Sequence, residues 1–394
     1  MHFRKIYDKQ KDIIENDKIC FIVWPRQVGK TTFIKKIFEE IHTDNKQYLN
    51  MENFEYHRFF QSVSDIENFI NNTIVEKNKK YYLFLDEFQK VKNISPILKY
   101  LYDEHKNIKI IVSGSNNIEI NKNIKESFAW RKRIYYMRPL DIQEFISWKE
   151  NIDIKNTNSF IKNPKNKYKL ENYIQEFWIY GWFPKVVLAR SSKDKIQELA
   201  DIFDFWFNRD IVLYTNKLYE FKELTRQLAF NNWNTANYSS LASLSHISAP
   251  SVKKFIQVLK ETFLVIEQKP FFNNKLKEIN KSPKIYFLDP GFRNYIISRY
   301  DFSSQEFGIL FENIMLSDLI KNWLWYDDLK FWRTNDENYE VDLILESQKK
   351  AYEFKWKDKL KSSDKSWLNK FLKTYPDFDG ETIDKNNIDK LDFI

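Results

Sequence analysis

A short stretch near the N-terminus constrains the fold of this chain most strongly. It runs Phe21-Ile22-Val23-Trp24-Pro25-Arg26-Gln27-Val28-Gly29-Lys30-Thr31-Thr32. An apolar run followed by a tight loop and polar residues predicts a buried strand, a turn and the start of a helix. The stretch matches the phosphate-binding pattern G-x-x-x-x-G-K-[ST] at every fixed position except the first, where Trp24 stands in place of glycine.

A loop of this kind points backbone N–H groups and a helix N-terminus at phosphate oxygens. We therefore expect it to bind ATP, with Lys30 at the β- and γ-phosphates and Thr31 on Mg²⁺. The predicted nucleotide-binding residues are Arg26, Gln27, Val28, Gly29, Lys30, Thr31 and Thr32.

Two later segments supply the other parts of an ATP-hydrolysing site. The predicted strand Leu83-Phe84-Leu85 ends in two acids, of which Asp86 would hold Mg²⁺ through water and Glu87 would activate the attacking water. A further predicted strand ends in Ser113-Gly114-Ser115-Asn116, where Asn116 would sense the γ-phosphate or position water. The three segments occur in order and in strand contexts, which predicts an ATP hydrolase that uses ATP and Mg²⁺.

Helical and apolar segments alternate through the first part of the chain, which predicts an α/β domain with a mostly parallel sheet. Residues 151–168 are polar and predict a linker, and residues 169–262 have helical periodicity. Past residue 300, one long helix and then strands indicate a separate α/β unit. We therefore predict three domains, at 1–165, 166–300 and 301–394.

Residues 238–260 predict two short helices separated by Ile247-Ser248-Ala249-Pro250, a helix-turn-helix pattern, and 263–272 would add the wing strands of a winged helix. The second helix carries polar residues that could meet phosphates or base edges. They are Ser251, Lys253, Lys254 and Gln257. The alternative is a purely structural lid or a partner surface.

A second group of charged residues lies in the last domain. Glu312 falls on the predicted helix 306–324, Asp342 on the strand 340–345, and Glu353 and Lys355 on one face of the next strand. This order resembles the PD-(D/E)XK nuclease core. The resemblance implies a restriction-endonuclease-like fold in which Glu312, Asp342 and Glu353 bind Mg²⁺ and Lys355 positions the nucleophile or stabilises charge. The alternative is an exposed strand with alternating charges.

Nearly the whole chain resembles the prokaryotic AAA-type ATPases that carry a C-terminal domain of unknown function. The segments that carry the resemblance are Pro25 to Thr31, Phe84 to Lys90, Gly114-Ser115, Gly181 to Pro184, Arg209-Asp210, Ser282 to Phe287, Asp289 to Gly291, Phe311 to Asn313 and Phe331 to Thr334. The resemblance implies an AAA-type nucleotide-binding domain at the N-terminus, with Arg131 as an arginine near the nucleotide. The alternative for Arg131 is a surface salt bridge.

The chain departs from this family at several glycine positions. Trp24, Trp130, Trp182 and Trp325 stand where the family has glycine, and Trp233 is a further candidate. The chain has 6 Gly and 12 Trp, whereas an average composition would give roughly 28 glycines. We hypothesise that the gene encodes glycine with UGA and was translated with UGA as tryptophan. The alternative is a decayed ATPase with genuine tryptophans.

Composition bounds the partners and the compartment. The net charge of +8 is compatible with a DNA or RNA partner, although Lys and Asn are scattered in a way that also suits a genome-wide bias. Cys20 is the one cysteine, so we expect a buried core residue and no intrachain disulfide. We find neither a signal peptide nor a run of about 18 apolar residues, so we expect a cytoplasmic protein without a membrane partner. The sequence is compatible with an oligomer.

Three functional hypotheses follow from these patterns. The leading one is an ATP-binding, ATP-hydrolysing switch joined through a helical and winged-helix segment to a nuclease-like domain that acts on or holds nucleic acid. The first alternative is a non-catalytic ATP-binding scaffold or interaction protein. The second is a Mg²⁺-dependent nuclease with a vestigial ATPase.

Overall fold

The computed structural model describes most of the chain in two compact units, residues 1–140 and 141–394. The described residues are 3–23, 27–92, 94–114, 128–209, 211–231, 234–272, 281–321, 328–334 and 339–385. The predicted boundaries at 165/166 and 300/301 do not coincide with the division into two units, and the three-domain organisation stays a prediction. None of the helices in the described ranges is long and apolar enough to cross a membrane.

The first unit is built on a five-stranded parallel sheet, which confirms the predicted α/β architecture. Its strands are β1 Ile19–Val23, β2 Lys46–Asn50, β3 Tyr81–Asp86, β4 Ile108–Gly114 and β5 Lys132–Tyr136. Their spatial order is β2-β3-β4-β1-β5, so β4 separates β1 from β3. The helices are α1 Gln10–Glu15, α2 Lys30–Glu40, α3 Val63–Thr73 and α4 Ile94–Glu104.

Strand β1 is buried in the hydrophobic core of this unit. All five of its residues are buried, as expected for an apolar run in a sheet covered on both faces. The Phe21 ring packs edge-on against Phe88 and Phe128, with ring centroids 5.6 and 5.5 Å away. Cys20 is buried and free, as predicted. This packing fixes the end of β1, from which the phosphate-binding stretch departs.

The second unit combines helices with a six-stranded mixed sheet. The helices are α5 Ile142–Glu150, α6 Thr157–Lys162, α7 Lys167–Tyr180, α8 Pro184–Leu188, α9 Ser192–Arg209, α10 Leu218–Phe230, α11 Tyr238–Leu244, α12 Ala249–Glu261, α13 Pro290–Ile296, α14 Ser304–Lys321 and α15 Ser366–Thr374. The strands are β6 Val265–Pro270, β7 Lys284–Phe287, β8 Leu329–Arg333, β9 Glu340–Leu345, β10 Lys350–Phe354 and β11 Asp379–Ile383, in the order β11-β10-β9-β8-β6-β7.

The segment predicted as a linker, 151–168, is mostly helical. It contains short 3-10 turns at Ile154–Asn156 and Pro164–Asn166 on either side of α6. The Asp153 and Asn163 side chains accept hydrogen bonds from the backbone N–H groups of Lys155 and Lys165, at 2.8 and 3.0 Å. The linker prediction is therefore wrong, because these polar residues cap helical turns.

Strand β6 joins the predicted wing to the C-terminal strands. It pairs antiparallel with β7 and parallel with β8. Strands on both sides of residue 300 therefore belong to one sheet, which explains why the second unit continues across the predicted boundary.

The described tryptophans at family glycine positions do not occupy backbone conformations that require glycine. Neither Trp130 nor Trp182 has a positive φ. Trp182 is fully buried and stacks on Phe177 with centroids 5.0 Å apart. The neighbouring Gly181 does require glycine, because its φ is +80° and a Cβ there would lie 2.0 Å from Oδ1 of Asp289. The backbone at 130 and 182 thus gives no support to a glycine there, and Trp24, Trp233 and Trp325 lie outside the described residues.

Candidate functional site

The loop between β1 and α2 turns through two left-handed residues. Gln27 has φ 63° and Gly29 has φ 97°, and α2 begins directly afterwards at Lys30. Glycine adopts this conformation without strain, whereas a Cβ at residue 29 would also approach Cε of Met137 to 3.3 Å. The tight turn leads the chain into the helix N-terminus, where backbone N–H groups and the helix dipole favour an anion. Trp24, Pro25 and Arg26 lie outside the described residues.

A buried arginine that the sequence patterns did not single out anchors this loop from the first residues of the chain. Nη1 of Arg4 donates to the carbonyl oxygen of Val28 at 2.9 Å, and Nη2 donates to the carbonyl oxygen of Arg138. Arg4 is only 4% exposed. The guanidinium therefore ties the loop to the segment that follows β5.

The Asp86 carboxylate lies at the end of β3 and accepts hydrogen bonds from three hydroxyl groups. Oδ2 accepts from Oγ1 of Thr31 at 2.8 Å and from the hydroxyl of Tyr48 at 2.8 Å, and Oδ1 accepts from Oγ of Ser113. Asp86 is 1% exposed. Because a buried carboxylate is costly unless it is hydrogen-bonded, these donors stabilise it and fix its orientation toward α2. The structure thus brings together Thr31 and Asp86, the two residues that the sequence analysis assigned to Mg²⁺.

Tyr48 on β2 was not predicted from the sequence. Burial, followed by the negative charge of Asp86, raises the pKa of the Tyr48 phenol far above its ordinary value. The phenol therefore stays protonated and donates to Asp86 at physiological pH. The position of Tyr48 could have indicated this contact, because Tyr48 lies on β2 beside β3, two residues before Asn50, which is level with Asp86.

Glu87 follows β3 in a left-handed conformation, with φ 54°. Its backbone N–H donates to Oγ of Ser113 at 3.3 Å, and its Oε2 accepts from Nε2 of Gln89 at 2.6 Å. A non-glycine residue with positive φ is uncommon and costs free energy. The strain lies at the residue predicted as the general base.

The remaining residues predicted for the ATP site are not all brought to the loop. Lys30 is buried at the first turn of α2, and Thr32 is exposed on it. Asn116 lies outside the described residues. Arg131 precedes β5, whose first residue Lys132 is level with Ile19 at the start of β1. The loop follows the other end of β1, roughly 13 Å away along the strands, and Nε of Arg131 instead pairs with Asp103 at 2.7 Å.

The donor set at the end of β3 suits a magnesium ion. A threonine hydroxyl and a carboxylate are oxygen ligands, which Mg²⁺ prefers. The adjacent lysine and helix N-terminus suit phosphate oxygens. Lys30, Thr31 and Asp86 therefore fit Mg²⁺ with ATP.

The second unit carries another group of carboxylates, centred on the hairpin of β9 and β10. Tyr352 is opposite Leu343 in the antiparallel register, so Asp342 and Glu353 are opposite each other and on one face. Oδ2 of Asp342 accepts from the backbone N–H of Phe354 at 2.8 Å, and Oε1 of Glu353 accepts from Nζ of Lys355. The structure thus brings the predicted Asp342, Glu353 and Lys355 together.

Both hairpin carboxylates are strongly desolvated. Burial, followed by the charge of Glu353, raises the pKa of Asp342 well above its ordinary value. Burial raises the pKa of Glu353 to about 7, although Lys355 acts against this rise. Oε2 of Glu353 is buried without a hydrogen-bond partner among the described residues. A buried carboxylate oxygen in this state can accept a proton or a cation.

Glu312, on α14, faces this hairpin and meets a lysine that the sequence analysis did not assign. Nζ of Lys284 on β7 lies 3.0 Å from Oε1 of Glu312 and 2.5 Å from Oε1 of Glu340. Burial would lower the pKa of Lys284, but the charges of Glu312 and Glu340 outweigh it and raise this pKa above its ordinary value. The hydroxyl of Tyr286 also donates to Glu312. Two pairs of residues in the sequence could have indicated this group. Lys284 and Tyr286 on β7 are two residues apart, as are Glu340 and Asp342 on β9, so each pair lies on one face of its strand.

The two halves of this carboxylate group differ in their fit to a divalent cation. Glu312, Glu340 and Asp342 each offer an oxygen within 4.8 Å of the others, which is close enough to share an ion. However, the Lys284 ammonium already contacts Glu312 and Glu340. The pair of Asp342 and Glu353 fits a magnesium ion, whereas Glu312 does not fit one while Lys284 is in place.

The predicted helix-turn-helix corresponds to α11 and α12. Lys253, Lys254 and Gln257 are exposed on α12. Nζ of Lys253 lies 5.3 Å from the centre of the Tyr238 ring, and Nε2 of Gln257 donates to Oε1 of Glu261 at 2.6 Å. The two helices and the β6–β7 pairing are present, and their assignment as a winged helix stays a prediction.

Family models match three consecutive parts of the chain. Residues 16–146 match an AAA domain, residues 171–303 a domain of unknown function (DUF8612), and residues 307–389 another domain of unknown function (DUF4143). The first match supports the expected AAA-type ATPase domain. The other two carry no described activity, so the nuclease-like character of the C-terminal domain stays a prediction.

The sequences of related proteins align with most of this chain. An uncharacterized protein of Methanocaldococcus jannaschii is 27% identical over 343 residues, covering 85% of this chain and 73% of the relative. An uncharacterized protein of Mycobacterium tuberculosis is 20% identical over 352 residues, covering 86% of this chain and 70% of the relative. Among solved structures, the Walker-type ATPase of Pyrococcus abyssi has a TM-score of 0.47 at 12% identity, covering 75% of this chain and 96% of that one.

Proposed function

We propose that this protein binds and hydrolyses ATP at the loop between β1 and α2. The hydrogen bond from Thr31 to Asp86 carries the proposal, because it joins the phosphate-loop helix to the acidic strand end in one oxygen-rich site. The match of residues 16–146 to an AAA domain supports it. ATP and Mg²⁺ are the proposed cofactors.

Each residue has a separate role in this reaction. Lys30 binds the β- and γ-phosphates and neutralises charge that develops on the leaving group. Thr31 and Asp86 would hold Mg²⁺, which, when bound, neutralises phosphate charge. Glu87 accepts the proton of the attacking water, and its backbone bond to Ser113 positions it beside Asp86. Asn116 is proposed to sense the γ-phosphate. Arg131 lies at the end of the sheet where β1 begins, opposite the end that carries the loop. A catalytic role for Arg131 would therefore require it to act on ATP bound at the loop of a second copy of the chain.

Substitution of the general base tests this proposal. Glu87→Gln should lower ATP turnover by roughly 10²–10⁴-fold, the typical contribution of a general base, while binding of an ATP analogue is retained. Phosphate release and analogue binding are measured on the same preparations. Glu55→Gln, in the 3-10 helix after β2, is the matched control and should keep full turnover. Equal turnover in the two variants would contradict the role of Glu87. Wild-type protein that binds ATP without turning it over would favour the scaffold alternative, and wild-type protein that does not bind ATP would contradict the proposal.

The second proposed function is that the C-terminal domain has a nuclease-like fold that acts on or holds DNA or RNA. The facing carboxylates of Asp342 and Glu353, with Lys355 beside them, favour it. In this chemistry the two carboxylates would hold Mg²⁺, and Lys355 would stabilise charge on a phosphodiester. The winged-helix assignment of α11 and α12 supports a nucleic-acid partner.

A cleavage assay tests the second function. If the domain cuts nucleic acid, Asp342→Ala should abolish Mg²⁺-dependent cleavage of a mixed DNA and RNA substrate set, because it removes a proposed metal ligand. Asp379→Ala, at the exposed start of β11, should leave cleavage unchanged. Cleavage without ATP turnover would support a nuclease with a vestigial ATPase. Wild-type protein that turns over ATP and cleaves no nucleic acid would contradict a catalytic role of the C-terminal domain.

A further inference from the structure

We propose that the Lys284 ammonium is the resident cation of the Glu312 and Glu340 carboxylates, so that a divalent ion is confined to the Asp342 and Glu353 pair. The proposal concerns the same site as the nuclease-like function, and its statement about Asp342 and Glu353 rests on that function. The statement about Lys284 stands on the contacts of the lysine itself. It removes Glu312 from the predicted set of metal ligands.

The contacts of Lys284 are those of a bound cation. Its side chain is 1% exposed, and its Nζ contacts one oxygen of Glu312 at 3.0 Å and one of Glu340 at 2.5 Å. A buried ammonium is costly unless it is paired. Two carboxylates on different elements, α14 and β9, therefore hold this lysine in the space between them.

The remaining oxygens and neighbours complete a balanced group. The second carboxylate oxygen of Glu340 pairs with the guanidinium of Arg333 on β8, and Oε1 of Glu312 also accepts the Tyr286 hydroxyl. Two carboxylates thus meet two cations, Lys284 and Arg333. Because the formal charges cancel, a divalent ion entering here would meet the repulsion of two cations at close range.

The other half of the group has a different balance. Asp342 and Glu353 share one cation, Lys355, which contacts Glu353. With both acids ionised, the formal charge of this half is negative. Glu353 is 0% exposed, and its Oε2 has no hydrogen-bond partner among the described residues. A positive ligand is therefore accommodated beside Asp342 and Glu353 and disfavoured beside Glu312 and Glu340.

Mn²⁺ binding to the full-length, nucleotide-free protein tests the proposal, with free Mn²⁺ measured by electron paramagnetic resonance. Glu312→Gln in the otherwise wild-type chain should leave Mn²⁺ affinity unchanged, because the amide oxygen still accepts from Lys284 and Tyr286. Lys284→Met removes the ammonium at similar side-chain length and should create a new site, seen as a gain of at least about tenfold in affinity or one added ion. Lys284→Arg keeps the positive charge and should show no gain. Any Mn²⁺ bound at the ATP loop is the same in every variant.

The double variant Lys284→Met with Glu312→Gln should lose the gained site, which assigns that site to Glu312. A drop of about tenfold in Mn²⁺ affinity on Glu312→Gln alone would overturn the proposal, because it would make Glu312 a ligand in the presence of Lys284. Folded Lys284→Met protein without any gain would overturn it as well. If Lys284→Met does not fold, the single Glu312→Gln variant and Lys284→Arg still decide the question.

Failure of the nuclease-like function gives a separate result. Asp342→Ala without any effect on Mn²⁺ binding would show that no ion binds beside Asp342 and Glu353, and would count against that part of the proposal and against the nuclease-like chemistry together. The gain on Lys284→Met would still report on the cation between Glu312 and Glu340.

Discussion

The carboxylates of the two units are buried by two different means. In the first unit, Asp86 accepts hydrogen bonds from three neutral hydroxyls, on Thr31, Tyr48 and Ser113. In the second unit, the acidic residues meet cations, with Lys284 between Glu312 and Glu340 and Lys355 on Glu353. Hydroxyls fix the orientation of a carboxylate and leave its charge in place, whereas ammonium groups cancel that charge.

This difference determines what each site can bind. An oriented carboxylate that keeps its charge, beside a helix N-terminus, attracts a cation together with a phosphate. A carboxylate already paired with a buried lysine attracts neither. Within the second unit, Asp342 and Glu353 lie between these cases, since two acids share one lysine. The neighbours of a carboxylate are therefore a better guide to metal binding than the number of acids nearby.

The largest effect that we expect in a test of this comparison is a change in the stability of the second unit when Glu353 is replaced. Burial raises the pKa of Glu353 from the ordinary 4.5 to about 7 in the folded protein. The folded state therefore binds a proton more tightly than the unfolded state, and the stabilising contribution is complete below pH 4.5 and is lost as pH rises through about 7. Glu353→Gln, which mimics the protonated form, should raise the free energy of unfolding near pH 8 by about 3 kcal/mol and change it little near pH 5.

Thermal and denaturant unfolding in the presence of EDTA, at both pH values, measure this change. Glu381→Gln on the neighbouring strand β11, where the side chain is partly exposed, is the control and should show no pH-dependent gain. If Glu353→Gln destabilises the protein equally at both pH values, Glu353 is held as a carboxylate by Lys355. The second unit would then resemble the Asp86 site more than the comparison states.

A smaller effect is expected at the loop of the first unit, where Trp24 replaces the first glycine of the phosphate-binding pattern. We expect an indole at the first position of the pattern to force the loop from its path or to crowd the nucleotide, at a cost of about 1–3 kcal/mol. Trp24→Gly should therefore raise the affinity for an ATP analogue about tenfold. Isothermal titration calorimetry measures it, and Trp130→Gly, at the far edge of the sheet, is the matched control.

An unchanged affinity of the Trp24→Gly protein would argue against a distorted loop. The coding DNA addresses the origin of the residue separately. The recoding hypothesis expects TGA at codons 24, 130 and 182. It expects TGG at codon 332, because the family that the chain resembles itself tolerates or prefers tryptophan at that position. TGG at the first three codons would mean that the tryptophans are genuine, in agreement with the burial of Trp182 against Phe177.

Sequence reasoning was sufficient for the parts of the molecule that depend on local pattern. The buried run of β1, the acids at the end of β3 and the shared face of Glu353 and Lys355 follow from periodicity and spacing. These features predicted the parallel sheet, the assignment of Thr31 and Asp86 to one magnesium site, and the hairpin that carries Asp342, Glu353 and Lys355. The linker prediction at 151–168 was wrong because Asp153 and Asn163 serve as caps, which composition alone does not distinguish from a loop.

The missed residues act over long separations in the sequence. Lys284 meets Glu312 and Glu340 only because β6 joins the β7 pairing to the C-terminal strands. Arg4 donates to Val28, which is 24 residues later in the chain, and Tyr48 on β2 donates to Asp86 on the neighbouring strand β3, which is 38 residues later. No local pattern marks such partners, since a lysine or tyrosine on a strand is usually a surface or core residue. Arg131 is the opposite case. The family resemblance assigned it to the nucleotide, but the parallel register places it at the end of the strands away from the loop.

The smallest predicted effect tests whether the hydroxyls around Asp86 matter. Tyr48→Phe removes one of three donors and should lower ATP turnover about three- to tenfold, which corresponds to the net contribution of about 0.5–1.5 kcal/mol of one hydrogen bond. Because the pKa of Tyr48 is raised, mainly by burial, its hydroxyl stays protonated, so the ratio of wild-type to variant turnover should be constant from about pH 6 to about pH 9. Tyr82→Phe on β3 is the control. A Tyr48→Phe protein with full turnover would mean that Thr31 and Ser113 suffice to orient Asp86, whereas a ratio that changes with pH would mean that Tyr48 exchanges a proton and that the first site, like the second, depends on titrating groups.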